Sequence, residues 1–199
     1  ARRERDEHVL STGAQLAAVH GLTDLFAVAN RIAAEYRAVQ LPVLRVSHWQ
    51  VDGEQLPARV YDSHPGDEDV LLAVLIPPSL GGFDAAQMTA SLAQWLRDQH
   101  ARGATLGGVC VGSLMLAESG LLDGRSATTH WTSAQAFAER YPKIKLKADT
   151  PIVDDGDLIT TAGLMAWSEL GLRLVDRLLG PSIATATARF LVMEHSDSA

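Results

Sequence analysis

The segment TLGGVCVGSL occupies residues 105–114 and contains Cys110, the only cysteine among the 199 residues. Its apolar first half is typical of a buried strand, and the residues after Cys110 continue into a helical pattern. A sharp strand-to-helix turn between small residues, here Gly108 and Gly112, exposes the turn side chain, and a helix amino terminus lowers the pKa of a thiol. The segment therefore predicts a reactive cysteine, although a buried and inert cysteine is the more common arrangement.

Strands and helices alternate along the rest of the chain. Apolar runs predict strands at residues 9–12, 41–49, 70–76 and 104–109, with turns and one hairpin at 51–69 and a second hairpin at 152–160. Helical spacing predicts helices at residues 16–37, 84–100, 111–119, 134–140, 163–179 and 181–193. This alternation implies a mostly parallel sheet with helices on both faces, in which ligands bind at the carboxyl ends of the strands.

Composition and charge restrict the classes of protein to which the chain can belong. The 199 residues are 47% hydrophobic, which suits one compact domain over residues 1–199. A net charge of -7 argues against a nucleic-acid surface, which needs clustered Lys and Arg. One cysteine permits no intrachain disulfide, the amino terminus has no apolar signal segment, and no run reaches the ~18 apolar residues of a membrane span. We therefore expect a cytoplasmic protein without membrane contacts.

Two further segments carry a resemblance to a known family. They are AESGLLDGRSATTHW at residues 117–131 and GLMAW at residues 163–167. Together with the cysteine turn, they resemble the DJ-1/PfpI superfamily, in the branch that forms the amino-terminal domain of GlxA-like, AraC-family transcriptional regulators. The resemblance is strongest over residues 84–192. It implies a flavodoxin-like three-layer sandwich, as in class I glutamine amidotransferases, and a homodimer; Trp95 and Trp167 are candidates for its surface or for the core.

The resemblance also implies a site around the cysteine. It places His130 close to Cys110, and a Cys/His pair is the smallest set of groups for nucleophilic catalysis, because the imidazole accepts and returns the thiol proton. These two residues are the candidate catalytic groups. No metal or cofactor is expected. The predicted ligand-binding residues are Ser79, Leu80, Gly81, Cys110, Val111, His130 and His20.

Two positions depart from the family pattern and weigh against catalysis. Ala18 stands where most members of the superfamily have an Asp or Glu that hydrogen-bonds the cysteine sulfur, and His20 lies two positions further on. Pro78 replaces the first glycine of a Pro-Gly-Gly turn that helps to form an oxyanion hole, and proline has no N–H. The donors are then reduced or shifted to residues 79–81, and loss of one such donor typically lowers a rate by about 10²–10³-fold.

Two functions from different classes therefore stand. In the first, the chain is the sensing domain of a GlxA-like regulator. It binds a small metabolite near the Cys110 turn and does not catalyse a reaction. Residues 1–199 contain no basic helix-turn-helix pair, so DNA contact is expected only through a separate domain. In the second, it is a free-standing cysteine enzyme, an isonitrile hydratase, amidase or glyoxalase-like lyase, that uses Cys110 with His130. Redox sensing by Cys110 is a third possibility.

Overall fold

The computed structural model describes residues 4–10, 13–37, 44–66, 71–82 and 88–192. Its strands are β1 (Glu4–Leu10), β2 (Leu44–Gln50), β3 (Ala58–Asp62), β4 (Ala73–Ile76), β5 (Thr105–Val109), β6 (Ser126–Ala127), β7 (Lys145–Leu146), β8 (Ile152–Asp154) and β9 (Leu158–Thr161). Its α-helices are α1 (Leu16–Arg37), α2 (Ala90–Ala101), α3 (Gly112–Glu118), α4 (Ala134–Arg140), α5 (Trp167–Leu179) and α6 (Pro181–Phe190).

A seven-stranded sheet in the order β3-β2-β1-β4-β5-β9-β8 forms the centre of the fold. The five inner strands are parallel, and the edge strands β3 and β8 are antiparallel to their neighbours. The chain winds from β1 to β2 on one side and from β4 to β5 on the other, so its direction reverses between β1 and β4. This reversal is where sheets of the predicted flavodoxin-like type bind ligands, outside the carboxyl ends of the strands.

The helices cover the sheet on both faces. Helices α1, α5 and α6 pack against one another, and right-handed crossovers place α2 on the opposite face from α1. Gly21 of α1 permits close contact with α5, because a Cβ there would lie 2.4 Å from the ring of Trp167. The three layers that the resemblance implies are therefore present, with an apolar core on each side of the sheet.

Several predicted boundaries require correction. The helix predicted from residue 84 begins at Ala90, where Thr89 caps it by accepting a 3.2 Å hydrogen bond from the Leu92 N–H. The helix predicted from residue 163 begins at Trp167, because residues 163–166 form a turn closed by the Ala166 N–H on the Gly163 carbonyl. The strand predicted at residues 9–12 is β1, which begins five residues earlier at Glu4. Predicted residues 11–12, 41–43, 67–70, 84–87 and 193 lie outside the described ranges.

The two tryptophans proposed for a dimer surface differ in burial. Trp95 is only 9% exposed, and its ring packs 5.5 Å from that of Trp49, so its core alternative is confirmed. Trp167 is half-buried against Gly21. Within the described ranges, no helix combines the length and the apolar character needed to cross a membrane.

Candidate ligand site

A cavity of about 280 Å³ lies at the carboxyl ends of the central strands. Its lining comes from four segments, each of which follows a different strand: residues 79–82 after β4, 110–111 after β5, 130–133 after β6, and Leu164 after β9. The volume is near the lower limit of small-molecule sites, which suits a small metabolite. The lining residues are Ser79, Leu80, Gly82, Cys110, Val111, His130, Thr132, Ser133 and Leu164.

Cys110 forms the turn between β5 and α3. Its φ is 55°, a left-handed conformation that non-glycine residues adopt at some energetic cost. The turn is held by its backbone, since the Cys110 N–H donates to the Thr161 carbonyl at 2.8 Å and its carbonyl accepts from the Thr129 hydroxyl at 3.3 Å. Gly112 is required here because a Cβ would lie 2.5 Å from the carbonyl oxygen of Ile76.

The thiol itself is buried rather than exposed. Cys110 is 5% exposed, and burial raises the pKa of its thiol above the usual value, although a hydrogen bond from the Val111 N–H acts in the opposite direction. The expectation of an exposed thiol with a lowered pKa is therefore wrong. Its physical reason is that loss of solvent disfavours the thiolate more than the amino terminus of α3, a helix of seven residues, stabilises it.

His130 lines the same cavity and caps a short helix. It precedes a 3-10 turn at Trp131–Ser133, and its Nδ1 accepts the backbone N–H of Thr132 at 3.4 Å. The Thr132 Oγ1 lies 2.7 Å from the same nitrogen. Because a backbone N–H only donates, Nδ1 is the acceptor in the first of these two contacts.

The predicted ligand residues divide into two groups. Ser79, Leu80 and Val111 join Cys110 and His130 in the lining of the cavity. Gly81 is exposed and is not among the lining residues. His20 is likewise outside that set; it is exposed on α1, with its ring 6.0 Å from that of His48.

Most of the backbone N–H groups that follow Pro78 already donate hydrogen bonds to other protein atoms. The Leu80 N–H donates to the Gly13 carbonyl at 3.2 Å, and the Gly81 N–H donates to the Ser79 hydroxyl at 3.3 Å. Ser79 pairs with Ala14 in an isolated antiparallel bridge. Of the three donors expected to replace the missing one, only the Ser79 N–H has no hydrogen-bond partner among the described residues.

Residue 18, which the resemblance aligns with the family's acid, is a buried alanine. Ala18 is completely buried on α1. One turn earlier, Gln15 is buried with its Oε1 lacking a hydrogen-bond partner within the described part of the chain, while its Nε2 lies 3.7 Å from the Met165 sulfur. The described residues hold no group of three or more His, Cys, Asp or Glu that could bind a metal ion.

Sequence reasoning missed four residues of the lining: Gly82, Thr132, Ser133 and Leu164. Thr132 follows the predicted His130 by two positions, a spacing at which a side chain often bonds a neighbouring backbone N–H. That spacing is the one signal that pointed to it. Leu164 was hidden because its segment was assigned to the start of a helix.

Fold and site together define a flavodoxin-like α/β domain with a cysteine at the strand-to-helix turn beside its cavity. Residues 55–177 match the DJ-1/PfpI family. The chain therefore belongs to the DJ-1/PfpI family, as the sequence motifs predicted.

Known relatives include both regulators and an enzyme. The chain is 41% identical over 115 residues to the HTH-type transcriptional regulator CdhR of Pseudomonas aeruginosa, a match that covers 57% of this chain and 34% of that protein. It is 31% identical over 127 residues to an isonitrile hydratase of Pseudomonas putida, covering 63% of this chain and 53% of the enzyme. The matched region thus spans about a third of CdhR and about half of the hydratase.

A solved structure has the same fold. The crystal structure of an AraC family transcriptional regulator from Pseudomonas putida superposes with a TM-score of 0.70 at 21% identity, covering 94% of this chain and 99% of that chain. This likeness establishes the flavodoxin-like fold.

Proposed function

We propose that residues 1–199 form one domain that senses a small molecule for an AraC-type transcriptional regulator. The observation that carries this proposal is the state of the two candidate catalytic groups. Cys110 is buried with a raised thiol pKa, and His130 already accepts hydrogen bonds at Nδ1 from Thr132. A cavity with these properties suits reversible binding better than covalent chemistry.

Proton transfer between these two groups is disfavoured by the tautomer of the ring. A general base must offer a lone pair to the proton it removes. With its proton on Nε2 and its Nδ1 lone pair directed at Thr132, neutral His130 has no lone pair left for the Cys110 thiol. The carboxyl group that could substitute for it is absent, because Ala18 occupies the family's acidic position.

Stabilisation of an oxyanion is also poorly supported. Pro78 has no N–H, and the N–H groups of Leu80 and Gly81 donate within their own loop. Each missing donor lowers the rate of such a reaction by about 10²–10³-fold. A reaction at Cys110 would therefore lack both a base and most of its backbone donors.

The regulator assignment rests on the relatives and extends to partners. The relative CdhR is about three times as long as the region it shares with this chain. We infer that DNA binding belongs to a separate helix-turn-helix domain and that the sensing domain itself contacts the ligand and a second copy of the chain. The net charge of -7 supports a domain that does not touch DNA directly.

A second function has one observation in its favour. Cys110 and His130 line the same cavity, as a cysteine-dependent hydratase, amidase or lyase would require, and the isonitrile hydratase is a relative. To act as a base through Nε2, His130 would have to carry its ring proton on Nδ1 when the substrate binds.

Turnover measurements separate the two functions. The chain and its Cys110→Ser variant are assayed with a simple alkyl isonitrile, a primary amide and methylglyoxal, and in parallel screened by thermal unfolding against small metabolites. We expect the wild-type chain to show no turnover above that of the variant. We also expect a metabolite that raises the Tm of both proteins, with affinities for the two that differ by less than about tenfold, equivalent to ~1.4 kcal/mol. Saturable turnover that disappears in Cys110→Ser would overturn the sensor proposal.

A further inference from the structure

Thr132 determines which ring nitrogen of His130 remains for a ligand. The Thr132 backbone N–H donates to Nδ1 at 3.4 Å, and the Thr132 hydroxyl oxygen lies 2.7 Å from the same nitrogen, where its proton can point to the Nδ1 lone pair. Neither sequence motif nor family resemblance assigned a role to Thr132. The consequence is that neutral His130 offers the cavity an N–H donor at Nε2 and no acceptor.

The rest of the lining supplies apolar contacts and uncharged polar groups, the latter including the hydroxyls of Ser79 and Ser133. Val111, Leu80 and Leu164 are apolar, and the buried Cys110 thiol remains protonated and is a weak donor. Among the described lining residues there is no Lys or Arg.

These contacts select one class of chemical group. A carboxylate placed in the cavity would lose water without gaining a cation, which is unfavourable. An ammonium group would likewise lose water without gaining an anion, because the described lining residues include no Asp or Glu. An uncharged carbonyl oxygen instead accepts that N–H and leaves no charge to desolvate.

We propose that Thr132 locks His130 as a fixed Nε2–H donor and that the site recognises a small molecule through an uncharged carbonyl oxygen, its apolar part lying against Val111, Leu80 and Leu164. This inference rests on the proposed binding function and specifies its ligand class. Thr132 is a positioning residue, because it acts on the ligand only through the imidazole ring. His130 is the residue that determines specificity.

Nuclear magnetic resonance of the ring nitrogens tests the tautomer without any ligand. In the full chain, His130 is assigned by the signal that disappears in His130→Gln, and we expect a protonated Nε2 with an unprotonated Nδ1. Thr132→Val removes the shorter contact and should mix the two tautomers, whereas the matched variant Thr132→Ser keeps the hydroxyl and should restore the single form. A protonated Nδ1 in the wild-type chain would overturn the proposal.

Matched probes of equal chain length test the ligand class. Butyramide, butyrate and butylammonium are titrated while the signals of the cavity residues are followed. We expect butyramide to bind most tightly, about tenfold more weakly to His130→Phe, and within about threefold of wild type to His130→Gln, whose side-chain N–H replaces the donor. Tighter binding of butyrate or butylammonium, or unchanged butyramide binding to His130→Phe, would overturn the inference.

The two proposals fail separately. An Nε2–H tautomer together with cysteine-dependent turnover would overturn the sensor function and leave the locking of His130 by Thr132 in place. An Nδ1–H tautomer without turnover would overturn the locking and leave the sensor function in place.

Discussion

The two ends of β9 are held by different kinds of interaction. At its amino end, the Arg125 side chain donates to Asp155 and to Asp157, each at 2.6 Å, and His100 contacts Asp157 at the same distance. At its carboxyl end, the described contact is between neutral groups: the Thr161 carbonyl accepts the Cys110 N–H at 2.8 Å. The comparison teaches that this sheet uses ion pairs at the solvent-exposed end of the strand and close neutral packing at the end that carries the cavity.

The difference has an energetic basis. Ion pairs that remain partly exposed are screened and contribute little, but they also tolerate substitution. Close-packed backbone has no such tolerance, because atoms must move when volume is added. The carboxyl end of the sheet should therefore respond sharply to added methyl groups, and the amino end weakly to lost charges.

The largest expected effect is that of Gly112→Ala. The added Cβ would lie 2.5 Å from the Ile76 carbonyl oxygen, a backbone atom that cannot move aside by rotation. We expect the free energy of unfolding to fall by about 3 kcal/mol, at the upper end for overpacking. Urea unfolding measures it, with Gly66→Ala as the control, since a Cβ there would meet no atom closer than 4.0 Å. A fall in the free energy of unfolding of less than about 1 kcal/mol would contradict the expected difference in packing between the two ends of β9.

The next effect concerns the Cys110 thiol. Because burial raises its pKa, we expect iodoacetamide at pH 7.5 to modify the native chain at least about tenfold more slowly than a cysteine peptide. The pH midpoint of the reaction should lie above that of the peptide. The same chain unfolded in urea is the control and should react at the peptide's rate. Faster modification of the native chain would show that the cavity end stabilises charge after all.

Arg125→Ala tests the charged end and should have a smaller effect. The Arg125 side chain is 31% exposed, so we expect a loss of about 1 kcal/mol at low salt and less at 1 M salt. The exposed Lys147 gives the matched control Lys147→Ala, which removes one positive charge at a site without such contacts to an acid. Ring-nitrogen signals of His130 should be the same in both variants. A loss of 3 kcal/mol, or one insensitive to salt, would contradict the comparison.

The smallest effect is on the acid side of the pH profile. The hydrogen bond from Arg125 holds the pKa of Asp155 below its usual 3.8, so the charged carboxylate stabilises the fold above that value. This contribution is lost as the pH falls through the lower folded value. We expect Arg125→Ala to lower stability by ~0.5 kcal/mol more at pH 5 than at pH 2. Equal losses at both pH values would show that Asp155 is not the partner that matters.

Much of the fold followed from short-range patterns. The flanking glycines 108 and 112 predicted the strand-to-helix turn, and the contacts that a Cβ would make at each of them confirm why they are small. The bounds of α1 and α4 agree with the helices predicted at residues 16–37 and 134–140. The start of β1 was missed because its charged residues hide the period-two pattern.

The properties of the site could be predicted only in part. The neighbourhood of Cys110 and His130 followed from the motif, and both line the cavity. The burial of Cys110 is a property of the folded chain, and no local pattern predicts that residues 130–133 and Leu164 join it in the lining. The hydrogen bond from the Thr132 N–H to His130 likewise depends on a 3-10 turn, which has too few residues to show any periodicity.

The assembly of the cavity from four loops has a consequence for folding. The lining extends from Ser79 to Leu164, and no single hairpin or helix pair contains enough of it to bind a small molecule. Under the proposed sensing function, a ligand would have affinity only for the completely folded domain and would add RT ln(1 + [L]/Kd) to the global unfolding free energy. Accumulation of that ligand in a cell would then protect the domain from proteolysis as well as occupy it, so abundance and occupancy would rise together.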